Sequence, residues 1–262
     1  MLDFFAGQYD IVVIGAGHAG IEAALAAARL GSRTLCLCTS LEGIGNMPCN
    51  PSIGGTAKGQ LVREIDALGG EMARAADATC LQFRMLNRGK GPAVFSPRAQ
   101  SDRMAYRAYM RKVLEHCDNL DLAQGECGEI LTDDTGAVCA VRTVGGGRYD
   151  CKAVILCTGT FLGAKTFTGE VVRCMGPDGM HSADSLTGCL EKLGLQLRRF
   201  KTGTPARVSG KSLDFSKMSP QPGDEGELGF AFDRTVEAVN QVTCWLTYTT
   251  RSEEHTSELQ SR

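Results

Sequence analysis

Gly15-Ala16-Gly17-His18-Ala19-Gly20 has the G-x-G-x-x-G spacing with which a chain can cradle a pyrophosphate. In that role Gly15 makes a tight turn, Gly17 lets the backbone approach the phosphates, and Gly20 lets a helix pack close to a strand. A helix N-terminus beyond the glycines offers free N–H groups and partial positive charge to the anion. The alternative is a glycine-rich turn that binds nothing. The second candidate is Cys49, held between Pro48 and Pro51 in the loop 43–60, whose ends are glycine-rich. A helix expected to start near Gln60, with Leu61, Ile65, Leu68 and Met72 on its apolar face, would point its N-terminus at this loop. Cys49 could then face that N-terminus and Lys58 or Arg63, which lower a thiol's pKa. It could equally be an inert cysteine in a rigid turn, and the residues leave both readings open.

The third candidate is a concentration of charge. Eleven basic residues stand against five acids between Lys58 and Lys112, in a chain of net charge −2. Residues 99–116 read as a helix with Tyr106, Met110 and Val113 on an apolar face. Arg103, Arg107 and Arg111 recur every four residues on another. Such a stripe suits a polyanion such as RNA. A solvated helix face with acidic partners elsewhere explains it as well, and the stripe alone favours that explanation. The loop Asn87–Pro92, whose glycines expose Arg88 and Lys90, adds weight to the polyanion.

The elements that must position these residues alternate between strand and helix. Tyr9–Ile14 is a short β-branched run of the kind buried in parallel sheets, and Ile21–Leu30 is rich in helix formers, with Gly31 as a stop. Ser32–Cys38 reads as the next parallel strand. A ribose-binding acid is expected about 20 residues past the glycines, but Thr39 and Ser40 stand there and Glu42 comes later. Residues 120–151 read as an antiparallel meander of Asp121–Gln124, Glu129–Thr132, Ala137–Val144 and Arg148–Cys151. Ala153–Cys157 is a second buried apolar strand, and Thr158-Gly159 after it would return the chain to a dinucleotide, which favours FAD over NAD. Met180–Leu193 reads as a helix capped by Ser182 or Asp184, with His181 before it assigned no role. Leu195–Lys201 reads as a strand, and Val242–Thr250 is β-like.

With 262 residues, 43% hydrophobic and 22% charged, the chain has the composition of a soluble globular protein. No apolar run is long enough to span a bilayer, and no signal peptide is evident, so a cytoplasmic location is the expectation. The twelve cysteines include no C-x-x-C pair and read as reduced thiols. No set of metal ligands is singled out. Residues 251–262 break in character from what precedes them and resemble the translation of a sequencing adapter, which reads as a non-native tail.

Taken in order, GAGHAG at 15–20, CNPSIGG at 49–55, Lys58-Gly59, DALGG at 66–70, KGPAV at 90–94, Arg98-Ala99-Gln100, TGTFL at 158–162 and KTGTP at 201–205 resemble the MnmG (GidA) family of tRNA uridine 5-carboxymethylaminomethyl modification enzymes. The resemblance covers residues 9–208. It implies an α/β fold: an FAD-binding Rossmann-like domain over 1–205, with a parallel central sheet and an antiparallel β-meander. The start of an inserted NAD-binding domain would follow over 206–250. It implies FAD contacts from Gly15, Ala16, Gly17, His18, Ala19 and Gly20, from Thr158 and Gly159, and from the backbone of Cys127 on the adenine side. It makes Cys49 catalytic, by adding to the uracil ring or otherwise. The implied reaction modifies C5 of the wobble uridine, with methylenetetrahydrofolate and glycine or ammonium as donors and NADH as flavin reductant. The implied partners are tRNA, an MnmE-type GTPase and a second copy of the chain. The family's later motifs would lie beyond Thr250, so this chain is expected to be an inactive fragment. The alternatives are a folate- and FAD-dependent tRNA uracil methyltransferase, a generic flavin oxidoreductase, and a non-catalytic nucleotide- or RNA-binding module.

Overall fold

The computed structural model describes residues 3–226, 228–233 and 236–248; the tail at 251–262 lies outside them. The strands are β1 (Phe4–Gln8), β2 (Ile11–Ile14), β3 (Thr34–Cys38), β4 (Ser52–Gly54), β5 (Cys80–Leu86), β6 (Ser96–Ser101), β7 (Leu120–Gln124) and β8 (Cys127–Thr132). Then follow β9 (Val138–Thr143), β10 (Gly147–Asp150), β11 (Ala153–Leu156), β12 (Thr166–Thr168), β13 (Val171–Arg173), β14 (Ser219–Gln221) and β15 (Cys244–Leu246). The helices are α1 (His18–Arg29), α2 (Lys58–Ala67), α3 (Met72–Ala78), α4 (Arg103–Glu115) and α5 (Asp184–Lys192).

A four-stranded parallel sheet in the order β11-β2-β3-β7 forms the centre. Its inner strands β2 and β3 are apolar and buried on both faces because both faces are covered. Val13 and Cys36 point into one core with Ile21 and Leu25 of α1 and with Tyr106, Met110 and Leu114 of α4. Val12, Ile14, Leu35 and Leu37, one residue out of phase, point into a second core with Ile130, Val141 and Leu186. The period of two that separates the cores is the alternation of a pleated strand.

The second core is closed by the sheet β1-β10-β9-β8 and by α5. Its antiparallel meander is as expected for β8, β9 and β10. The residues taken as its first strand behave differently: Leu120–Gln124 joins the parallel sheet beside β3. The strand Phe4–Gln8 was not foreseen, since its partner is β10, far along the chain. Leu195–Lys201 forms no strand; these residues are exposed and join no sheet.

A third sheet, β4-β6-β5, carries the chain from the central sheet to α2 and α4. Residues 99–101 belong to β6, not to a helix, and α4 starts only at Arg103, where the Asp102 carboxylate accepts from the amides of Met104 (2.9 Å) and Ala105 (3.0 Å). Of the apolar face expected for α2, Ile65 is half-buried and Met72 packs on the core, but the two leucines face outward. Leu61 and Leu68 are 55% and 90% exposed, while Gly59 and Val62 are buried. Gly59 decides this, because the helix packs so closely on Pro97 that a Cβ would overlap it. Asp224, Phe230 and residues 240–242 return to this sheet. Asp224 donates its amide to Phe83 O at 2.9 Å, and the fully buried Phe230 stacks edge-on against Phe83. All twelve cysteines are free thiols, five of them buried.

Candidate functional site

The four parallel strands end side by side, and a ligand site is expected beyond their carboxyl ends where neighbouring connections diverge. That point is β2, with β3 on one side and β11 on the other. The glycine loop leaves β2 there. Gly15 adopts φ +104°, a conformation that favours glycine, and a Cβ on it would overlap the carbonyl of Cys157 after β11. A Cβ on Gly20 would overlap the Gly15 carbonyl. Gly17 differs: it is exposed, its backbone is extended, and a Cβ there would meet no heavy atom within 4 Å. Gly17 is also the N-cap of α1. No side chain caps that helix, and its first turn holds no acid. The first-turn amides of His18, Ala19 and Gly20 have no acceptors inside the helix. Open space over an uncapped helix N-terminus fits a pyrophosphate.

The other predicted dinucleotide contacts flank this cradle. The Cys157 amide bonds Ile14 O at 2.8 Å, which sets Thr158 and the exposed Gly159 beside the glycine loop. On the opposite side the Gly125 amide bonds Cys38 O at 2.8 Å, so the chain crosses the end of β3 just before Cys127. Cys127 is buried in the second core, and burial pushes its thiol up to about 12. The ring of His18 turns away from the cradle. Its Nδ1 lies 3.3 Å from the Tyr106 hydroxyl, and burial lowers its pKa, so the imidazole is neutral near pH 7. The late acid Glu42 is engaged by Arg111 at 2.8 Å and approached by Arg107 at 3.9 Å.

The Cys49 loop is tied to the same cradle. Gly45 donates its amide to Ala16 O at 3.0 Å. One residue on, Asn46 accepts from Arg103 and donates to Asp178 at 2.9 Å, and Arg103 also pairs with Asp178. Burial alone would raise the Asp178 carboxyl, but the bonds from Asn46 and Arg103 outweigh it and hold the group below its ordinary 3.8. Cys49 itself is half-buried under residues 203–207. Its thiol donates to Gly203 O at 3.1 Å, and Arg207 donates to Cys49 O at 3.2 Å. Of the two expected basic neighbours, Arg63 is instead committed to Gly229 O at 3.0 Å and to the Phe232 ring.

The arginine stripe is not a free polyanion surface. Arg103 is paired with Asp178, Arg111 with Glu42 and Glu115, and Arg107 lies near Glu42. Asn46, Arg103 and Asp178 as a unit, and Gly203 with Arg207 as a cover for Cys49, were not foreseen. The KTGTP run at 201–205 was the only signal for the latter, and it carried no assigned role.

The glucose inhibited division protein A family matches residues 10–261. The tRNA uridine 5-carboxymethylaminomethyl modification enzyme MnmG of Caldicellulosiruptor saccharolyticus is 60% identical over 249 residues, covering 95% of this chain and 40% of that relative. The enzyme of the same name from Geobacillus kaustophilus is 49% identical, over 95% of this chain and 39% of its own length. Aquifex aeolicus GidA in its form I crystal superimposes with a TM-score of 0.88 at 45% identity, covering 95% of this chain and 43% of that one. The chain thus spans about 40% of the length of the curated relatives it matches.

Proposed function

The chain belongs to the glucose inhibited division protein A family, and from that membership we propose that it is the N-terminal part of an FAD-dependent enzyme that modifies C5 of the wobble uridine of tRNA. The observation that carries the cofactor is the cradle at Gly17, open above an uncapped helix N-terminus at the carboxyl end of the parallel sheet. Gly15–Gly20 would hold the FAD pyrophosphate, Thr158 and Gly159 would border it, and the Cys127 backbone would meet the adenine side. FAD bound there supplies the redox chemistry of the reaction.

Cys49 is assigned as the catalytic nucleophile toward the uracil ring, a role that needs a thiolate. Its thiol now donates to the Gly203 carbonyl, so the sulfur is engaged by the covering segment and must leave that contact to reach a base. Release from Gly203 therefore precedes attack. Asn46, pinned by Arg103 and Asp178, fixes the loop three residues before the sulfur. The rest of the assignment follows the family resemblance. Methylenetetrahydrofolate and glycine or ammonium are the donors, and NADH reduces the flavin. Residues 206–250 begin the inserted NAD-binding domain. An MnmE-type GTPase and a second copy of the chain are the partners, in the cytoplasm. No helix among the described residues is long and apolar enough to cross a membrane.

Cys49→Ser in the full-length parent is the test. The variant is expected to keep its yellow flavin and to lose wobble-uridine modification, measured by mass spectrometry of tRNA nucleosides. Undiminished modification would reduce Cys49 to a structural residue.

A further inference from the structure

The basic excess between Lys58 and Lys112 divides in two. Five of its eight arginines face acids: Arg88 meets Asp224 at 2.8 Å, Arg74 meets Asp233, and Arg103, Arg107 and Arg111 meet the acids named above. Arg84 and Arg98 are different. The β5–β6 register sets them directly opposite each other, and Gly54 of β4 lies opposite Arg98 on its other side. Both are half-buried, the Nε of each is cut off from solvent without a hydrogen-bond partner, and neither has an ion pair among the described residues. Like charges directly opposite on a sheet repel. Stripping donors of water without replacing the bond adds to the cost.

Two further cations without ion pairs among the described residues sit at this end of the sheet. Lys58 follows Gly54 by four residues and Lys90 follows Arg84 by six, and both are exposed. Their loops are joined by a bond from Asn87 Nδ2 to Thr56 Oγ1 at 3.1 Å. The acid on the adjoining segment, Asp224, is occupied by Arg88 and by the Met85 amide at 2.6 Å. A cross-strand guanidinium pair presents parallel donors to an oxyanion, and a polyanion would engage the lysines beside it.

We propose that Arg84 and Arg98 form a seat for an RNA phosphate, with Lys58 and Lys90 taking neighbouring phosphates of the same strand. The assignment rests on the tRNA reading above and places it more closely. β4 starts three residues after Cys49, and its Ser52 pairs with Gln100 two residues from Arg98. The seat therefore lies on the sheet that carries the Cys49 loop, where a nucleotide flanking the target base would leave its phosphate.

The test uses this chain, a labelled tRNA anticodon stem-loop and, separately, inorganic phosphate. The variant R84Q/R98Q is expected to bind the stem-loop about tenfold or more weakly and to lower the slope of log affinity against log salt by about 1 to 2. K58Q/K90Q, on exposed residues, is expected to weaken binding and lower the slope in the same direction. Inorganic phosphate should raise the melting temperature of the parent chain and not of R84Q/R98Q. Because the pair repels, R84Q/R98Q should melt no lower than the parent in low salt. RNA binding with the same affinity and salt slope in parent and R84Q/R98Q would overturn the seat and leave the tRNA reading standing. Phosphate stabilisation that needs the pair, with no RNA binding by the parent chain, would overturn the RNA assignment itself.

Discussion

Gly20 packs against the carbonyl oxygen of Gly15 so closely that no side chain fits between them. The contact seats α1 on the turn that leaves β2. Three residues earlier, Gly17 has nothing above it. Two glycines of one motif thus answer to different demands, one to packing and the other to what approaches from outside.

Substitutions separate these demands. Gly20→Ala must push the helix off the turn and is expected to cost about 1–3 kcal/mol, as overpacked sites do. Gly17→Ala places its methyl in open space on an extended backbone and should leave the melting temperature within about 2 °C of the parent. In the full-length protein it should still weaken FAD binding. Thermal melts of the two variants, with flavin absorbance of the second, check both statements.

The cover on Cys49 gives a second expectation. Arg207 holds the 203–207 segment to the Cys49 carbonyl while Gly203 accepts the thiol proton. Arg207→Ala should raise the rate of Cys49 alkylation by iodoacetamide several-fold at fixed pH, read by peptide mass spectrometry. An unchanged rate would show that the segment does not guard the thiol.

Asp178 makes the Cys49 loop sensitive to acid. Its folded carboxyl titrates below the unfolded value of 3.8, so its contribution to stability is complete above that value and is lost as pH falls through the lower folded one. The parent should therefore lose more melting temperature between about pH 5 and pH 3 than Asp178→Asn, which has no charge to lose. Equal losses would remove Asp178 from the account.

Phe230 tests the return of the chain to the third sheet. It is fully buried against Phe83, with its amide held by Asp77 at 2.8 Å, whereas Phe232 is 60% exposed. Phe230→Ala should cost about 3–5 kcal/mol, the usual loss for a buried aromatic. Phe232→Ala should cost far less. Denaturant titration of the two variants measures the difference.

Tyr9–Leu30 was legible in the sequence because its signals are local: an apolar run, three glycines and a helix-forming tail. What escaped depended on distant partners. Phe4–Gln8 becomes a strand only because Gly147–Asp150 lies beside it, and Leu195–Lys201 finds no strand partner and stays exposed. Leu120–Gln124 was recognised as a strand and put in the wrong sheet, since alternation does not say which edge a strand joins. That the arginines of α4 have acidic partners was the reading the stripe alone favoured; which acids they are was not legible, because Glu42 and Asp178 are remote in sequence. The cover on Cys49 escaped for the same reason, with Gly203 lying 154 residues away.

Wobble-uridine modification by the full-length protein is read by deleting its gene in its own host and analysing tRNA nucleosides by mass spectrometry. The modified wobble uridine is expected to disappear in the deletion strain and to return on complementation with the intact gene, but not with the Cys49→Ser gene. Wobble-uridine modification that persists unchanged after the deletion would contradict the proposed function.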